Sequence, residues 1–249
     1  MLSSGAYLRS MELVRERINA AEEYPFCLPA FRNLNDINFH PKVTLIVGDN
    51  GTGKSTLLEA IAVAWGFNPE GGSINFSFAS RPSHSDLHQY IRLVKGAKKP
   101  RTGFFFRAES FYNLATNIEE LDREGTGPRI IDSYGGRSLH EQSHGEAFFS
   151  IFMNRFGRQG LYILDEPESA LSPLRQMSMI SRIHDLVRQE SQFIITTHSP
   201  IIMAYPDAVI LQLTENGFEV VKYEQTEHYT ITREFINNRE KMLNILLSR

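Results

Sequence analysis

The sequence predicts an α/β fold, a mostly parallel sheet flanked by helices. Three observations carry that prediction. Short apolar runs at Val43–Val47, Phe104–Phe106, Leu161–Leu164 and Phe193–Thr197 read as strands buried on both faces. Segments with helical spacing of apolar residues lie between them, at Leu57–Trp65, Phe148–Phe156 and Leu174–Val187. The first run also feeds a glycine-rich loop, Gly48-Asp49-Asn50-Gly51-Thr52-Gly53-Lys54-Ser55, that opens directly into a helix starting Thr56-Leu57-Leu58.

The 249 residues, 41% of them hydrophobic, suffice for one large core, and a single domain over 1–249 is expected, with an inserted helical region at about 81–157. No apolar run approaches the roughly 18 residues of a membrane helix. Arg9, Glu12, Arg15, Glu16 and Arg17 make the first twenty residues unlike a signal peptide or anchor. Cys27, the single cysteine, excludes an internal disulfide and a cysteine-based zinc site and is expected as a small buried hydrophobe. The net charge of −3 is that of an ordinary soluble protein, and the expected compartment is the cytoplasm.

Taken in order, Tyr7–Ile18 reads as a strand with one wet face, and the prolines of Tyr24-Pro25-Phe26 and Leu28-Pro29 break any helix. Phe31–Phe39 is a second strand or a turn region. The helix after the glycine loop is apolar nearly all round and should be buried. Residues 66–80 read as loop or short hairpin. From Arg81 to Arg107 there are seven Lys/Arg against one acid, Asp86, a local +6 that leaves −9 for the rest. Arg92, Lys95, Lys98, Lys99 and Arg101 within it are candidate nucleic-acid contacts; the plainer reading is a solvated surface helix, Ser85–Lys95, ending in a lysine turn. Phe111–Arg123 reads as helix and Glu124–Gly136 as a glycine-rich loop. A helix opened by Glu141–Glu146 presents Phe148, Phe149, Phe152, Met153 and Phe156. Ser172 and Pro173 start the next helix as cap and first residue, with Leu174, Met177, Ile180, Ile183 and Val187 along its apolar stripe. A hairpin around Asn216-Gly217 and a mostly polar helical region, Thr230–Ser248, close the chain.

The chemistry begins at the glycine loop. Glycines let backbone N–H groups of Gly48 to Thr56 converge on phosphate oxygens, and the helix start adds its positive dipole end. Lys54 is placed to neutralise β- and γ-phosphates and the Ser55 hydroxyl to ligate Mg²⁺. These residues imply a nucleoside triphosphate. Tyr24, 30 residues before Lys54, is either core or a platform for the base. The buried strand Leu161–Leu164 delivers Asp165 beside the ion that Ser55 would hold, and Glu166, one residue on, is suited to polarise a water toward the γ-phosphate.

Gly48–Ser55, Ser143-His144-Gly145-Glu146, Leu164-Asp165-Glu166-Pro167, Ser169-Ala170-Leu171 and Thr197-His198-Ser199, in that order, resemble the ABC-type ATPase superfamily. The sequence is most similar to stand-alone AAA/ABC ATPases, relatives of recombination, chromosome-maintenance and anti-phage ATPases. The resemblance implies a P-loop NTPase with an ABC-ATPase-like head and a small antiparallel β lobe. It also implies two chains sandwiching two ATP molecules, with Ser143, His144, Gly145 and Glu146 facing the γ-phosphate held by the opposite chain's Lys54. His198 matches the switch histidine that contacts the γ-phosphate. There are three departures from the family pattern. His144 stands where transporters usually have a second glycine, and the leading leucine is missing. Ser172 occupies the usual aspartate position. No glutamine marks the magnesium-sensing loop, for which Glu109 is the best substitute as a metal ligand.

Two classes of ATPase remain open. One is a nucleic-acid-associated or defence-type enzyme acting on a separate effector protein; the other is the ATP-binding subunit of an ABC membrane transporter. The spacing of 88 from Ser55 to Ser143 is too short for long coiled-coil arms, and about 50 residues after His198 leave no room for a nuclease domain. The expectation is a bare ATPase head of the first class. A small-molecule kinase would need a substrate pocket and lid that the sequence does not identify.

Overall fold

The apolar runs assemble into two sheets in the computed structural model, which describes residues 5–20, 22–74, 85–108, 111–124, 129–214 and 217–248. The chain enters with β1 (Leu8–Leu13), a short α1 (Pro29–Arg32) and β2 (Asp36–Asn38), then β3 (Val43–Val47) and α2 (Lys54–Trp65) flank the glycine loop. A two-residue β4 (Gly72–Ser73), β5 (Ile91–Lys95), β6 (Thr102–Arg107) and α3 (Phe111–Glu124) follow. Next come α4 (His144–Asn154), β7 (Gly160–Asp165), α5 (Pro173–Arg188), β8 (Gln192–Thr196) and α6 (Pro200–Met203). The hairpin β9 (Val209–Thr214) and β10 (Gly217–Val221) leads to α7 (Glu227–Asn237) and α8 (Arg239–Leu247).

The large sheet runs β10-β9-β3-β8-β7-β6-β4. From β9 to β6 every pair is parallel, and antiparallel β10 and β4 close the two edges. Strands β3, β7 and β8 are buried at every residue, as a sheet covered on both faces requires. Because these three are neighbours and parallel, their C-terminal ends emerge together at one edge, where parallel α/β sheets place ligands. On one face an aromatic stack from α4 and the turn after it seals the sheet: Phe148 meets Phe106 at 4.0 Å between ring centroids and Phe156 lies flat on Tyr162 at 4.3 Å. On the other, α2 buries Leu57, Leu58, Ile61 and Ala62.

The small antiparallel sheet, β2-β1-β5, is joined to the large one by buried Gln192. Its Oε1 accepts from Tyr7 and Leu8 N–H at 2.9 Å, and its Nε2 donates to the Leu8 carbonyl at 2.7 Å.

Four local expectations are corrected. Ser85–Lys95 is a 3₁₀ turn over Asp86–Tyr90 followed by strand β5; β-branched Ile91 and Val94 suit a pleated surface, and β1 offers an edge on which Ile91 faces Leu13 and Leu93 faces Met11. The first strand stops at Leu13, and a 3₁₀ turn occupies Arg15–Arg17. Phe31–Phe39 divides into α1, whose first residue is Pro29, and β2. On α5 the buried face is Gln176, Met179, Ile183 and Leu186, whereas Leu174 and Met177 are 70% and 52% exposed. Cys27, expected as a small buried hydrophobe, is instead only half-buried. Among the described residues no helix is long and apolar enough to cross a membrane.

Candidate active site

The loop between β3 and α2 turns on Gly48, Gly51 and Gly53, at φ of 147°, 74° and 102°, values that favour glycine. Gly53 is the cap of α2 and supplies no side chain, so the first N–H groups of the helix face the loop's hollow. Lys54 is buried, and its Nζ donates to the Asp49 carbonyl at 2.5 Å. Burial lowers its pKa, opposed by the negative charges of Glu166, Asp165 and Asp49. A cleft of about 350 Å³ lies over the loop, lined by Asn50, Gly51, Gly53, Lys54, Ser55, Thr56 and Glu166, with Tyr24 and Leu28 at its rim. Tyr24 is not core: it is 64% exposed, with its hydroxyl 3.3 Å from Thr56 Oγ1.

At the end of β7, Asp165 Oδ1 accepts hydrogen bonds from Ser55 Oγ at 3.0 Å and Thr196 Oγ1 at 2.6 Å. Burial raises the Asp165 pKa, and both hydroxyls oppose that shift. Oxygen donors on a desolvated carboxylate and a neighbouring serine fit a hard divalent ion. Among the described residues no cluster of three His, Cys, Asp or Glu could hold a metal. Mg²⁺ characteristically takes one or two carboxylates and completes its shell from phosphates and water, which suits this pair. Glu109 lies outside the described residues. Strand β6, which leads toward it, ends at Arg107 in register with Asp165.

Glu166 leaves the strand in a left-handed conformation, φ 45° and ψ 55°, immediately before Pro167. A residue preceding proline favours extended backbone, so this turn holds strain of roughly 1–3 kcal/mol. Two hydrogen bonds hold it, from Glu166 N–H to the Thr196 carbonyl at 3.2 Å and Thr196 Oγ1 at 3.1 Å. The carboxylate thereby reaches His198 Nε2 at 3.2 Å. His198 is held at two further points: its N–H donates to Glu168 Oε1 at 2.6 Å, and its Nδ1 lies 3.0 Å from His228 Nε2. Burial raises the Glu168 pKa; burial, with the neighbouring His198, lowers that of His228. Lys54, Ser55, Asp165, Glu166 and His198 thus meet at the ends of β3, β7 and β8.

Thr196, Glu168, Gln176 and His228 were not singled out by the sequence. Thr196 matters only because β8 lies beside β7 in this register, and His228 arrives from a helix 30 residues after His198. Gln176 is buried on α5, accepting from Ser199 Oγ at 2.5 Å and donating to the Leu171 carbonyl at 2.9 Å, which ties α5 to the segment carrying His198.

The start of α4 forms a separate surface. Ser143 is an exposed cap whose Oγ accepts from Glu146 N–H at 3.3 Å, while Glu146 Oε2 accepts from the Ser143 N–H at 3.2 Å and hydroxyl at 2.8 Å. Arg175 stands 3.6 Å from the other Glu146 oxygen. His144 is the first residue of the helix. Gly145 has a packing reason: a Cβ there would lie 2.1 Å from the Ala170 carbonyl oxygen, in the turn after β7. Neither Ser143 nor Gly145 lines the cleft over the glycine loop.

The basic stretch is partly neutralised within the chain. Arg92 lies 3.4 Å from Glu12, Lys98 lies 3.4 Å from Glu190, and Lys95 covers the Trp65 ring at 4.4 Å. Lys99 and Arg101 are exposed.

A family model described as an AAA domain matches residues 28–245. The chain is 30% identical over 187 residues to ABC transporter G family member STR2 of Medicago truncatula, a match covering 67% of this chain and 25% of that protein. It is 26% identical over 180 residues to the phosphate import ATP-binding protein PstB 1 of Streptococcus agalactiae, covering 64% and 71%. The chain therefore spans about a quarter of the first relative's length. The SMC head domain from Thermotoga maritima aligns with 86% of this chain and 98% of its own, at 17% identity and a TM-score of 0.42. With the glycine loop, the acidic strand end and the histidine in their places, the chain belongs to the AAA-domain family of ABC-type P-loop ATPases.

Proposed function

We propose that this chain binds and hydrolyses ATP, and that two copies sandwich the nucleotide between the glycine loop of one and the α4 start of the other. The observation that carries this reading is the convergence of Lys54, Ser55, Asp165, Glu166 and His198 at the ends of three adjacent parallel strands. In the proposal the N–H groups from Gly48 to Thr56 cradle the phosphates, and Lys54 exchanges the Asp49 carbonyl for phosphate oxygens. Tyr24 at the rim stacks on the base. Ser55 and Asp165 would hold Mg²⁺, which would supply positive charge to the phosphates. His198 turns its Nε2–H from Glu166 to the γ-phosphate, and the freed Glu166 carboxylate accepts a proton from the attacking water.

The opposite chain contributes the α4 start. Ser143 is exposed, the helix dipole favours an anion there, and the Glu146 carboxylate that now occupies this place has Arg175 beside it as a second partner. Exposed Leu174, one residue before Arg175, gives the same surface an apolar margin.

The decisive experiment measures phosphate release from Mg-ATP. Turnover that disappears with EDTA and falls about 10²–10⁴-fold in Glu166→Gln, with ATP binding retained, supports the reading. A Glu166→Gln protein hydrolysing ATP within about twofold of the parent removes Glu166 from the reaction.

Hydrolysis would then drive a separate partner. The exposed Lys99 and Arg101 support a nucleic-acid-associated role, while the internal pairing of Arg92 and Lys98 weakens it. The likeness to transporter ATP-binding proteins supports the alternative of a transporter subunit. DNA and RNA binding at low salt separates the two, because a phosphate-driven interaction declines steeply as salt rises.

A further inference from the structure

The second histidine at this site has no part in the roles proposed above, yet its position determines the state of the first. We propose that His228 is a positioning residue that fixes the His198 tautomer, keeping the ring proton on Nε2 where it faces Glu166. The inference rests on the ATPase reading only for its kinetic consequence.

His198 Nε2 lies 3.2 Å from Glu166 Oε1. An ionised carboxylate only accepts, so this nitrogen carries the proton. In a neutral imidazole the other nitrogen is then an acceptor, and its tautomer is set by the bond it makes. The one polar atom recorded at His198 Nδ1 among the described residues is His228 Nε2, at 3.0 Å. The ring centroids are 5.1 Å apart at 56°, so the contact is an edge hydrogen bond rather than a stack. His228 therefore donates from Nε2 and keeps Nδ1 unprotonated.

The surrounding structure is built to hold that donor. Buried Thr226 caps α7, accepting from Tyr229 N–H at 3.4 Å and donating to the Tyr223 carbonyl at 2.8 Å. Tyr223 in turn donates to the Pro200 carbonyl at 2.9 Å, two residues beyond His198. The α7 start is thus fastened to the segment it serves. The charged groups acting on His228 are Glu227 on its own helix and Asp49 and Lys54 of the glycine loop, with His198 as its ring neighbour. Burial favours the neutral form, which is the form that donates once and accepts once. Without His228, the Nδ1–H form of His198 loses its competitor and the proton is free to leave the nitrogen that faces the reaction.

Nitrogen-15 histidine spectra of the nucleotide-free protein, assigned with a His198→Asn variant, read the tautomer directly. Steady-state kinetics with Mg-ATP read its consequence. The parent should show His198 protonated at Nε2 alone. His228→Phe should give mixed tautomers and a kcat about tenfold lower, with KM within about twofold. His228→Gln places an N–H donor near the original Nε2 and should restore both the single tautomer and most of kcat. A parent His198 protonated at Nδ1, an unchanged tautomer in His228→Phe, or a Gln variant as impaired as Phe would each overturn the proposal. If the parent lacks ATPase activity altogether, the ATPase reading fails while the spectra still decide the role of His228.

Discussion

Three carboxylates within four residues, Asp165, Glu166 and Glu168, differ because the backbone gives each a different direction. Asp165 stays in line with β7 and is buried against two hydroxyls. Glu166 is turned outward by its left-handed φ, and half-buried Glu168 accepts the His198 N–H. Lys54→Ala should therefore behave unlike Glu166→Gln. It removes a charge proposed to contact phosphate in both ground and transition states, so ATP affinity itself should fall, measured by calorimetry, alongside the rate. Glu168 supports a pH prediction. Its pKa is raised in the fold, so charging it costs stability: the cost is absent below the ordinary carboxylate pKa and grows as pH rises through the folded value. Glu168→Gln retains an acceptor for the His198 N–H and carries no charge. Its melting temperature relative to the parent should rise between about pH 4 and pH 8. A difference that stays flat or falls over that interval would show that Glu168 is not buried at this cost.

At the scale of elements, the start of α4 combines a proposed surface function with a packing constraint, and the two can be separated. Gly145→Ala forces a methyl group to within 2.1 Å of a backbone oxygen in the turn after β7. That backbone must shift, at about 1–3 kcal/mol, which denaturant unfolding should detect. Ser143→Ala loses only a helix cap, about 1 kcal/mol. Equal stability of Gly145→Ala and the parent would mean that α4 does not approach the Ala170 turn so closely. This dual role illustrates what the sequence makes legible. The glycine loop, the acidic strand end and the helix cap are local patterns, and each appears where the residues predict it. The α5 face is not local. The expected stripe of Leu174, Met177, Ile180, Ile183 and Val187 and the buried face of Gln176, Met179, Ile183 and Leu186 both satisfy helical spacing and share Ile183; the buried face is the one that also brings Gln176 to Ser199 and Leu171. Strand β5 was hidden for a similar reason: its basic residues read as a solvated helix until β1 supplies an edge to pair with. His228 and Thr196 depend on which elements become neighbours, which no single stretch of sequence encodes.

At the scale of the whole molecule, the glycine-loop cleft and the α4 start are distinct surfaces of one chain, and the proposed reaction needs both. An ATP contacting two chains gains interactions from each, so it shifts a monomer–dimer equilibrium by its differential affinity for the dimer. ADP lacks the phosphate that Ser143 and His198 are proposed to touch and should shift it far less. The Glu166→Gln protein is accordingly expected to sediment as a dimer with Mg-ATP and mainly as a monomer with ADP, and the parent's specific activity should rise with protein concentration. Complementation tests the geometry itself. Ser143→Arg places a long cationic side chain at an exposed position outside the cleft, so its fold should persist by circular dichroism while the composite site is blocked. Lys54→Ala disables the other half. Each variant alone should be nearly inactive, yet their heterodimer contains one site with an intact Lys54 from the first chain and an intact Ser143 from the second. Mixing them should recover part of the parental activity, up to about half per heterodimer if the two sites act independently. A Ser143→Arg protein that remains monomeric and fully active would show that each chain hydrolyses ATP alone, leaving the α4 start with no catalytic role.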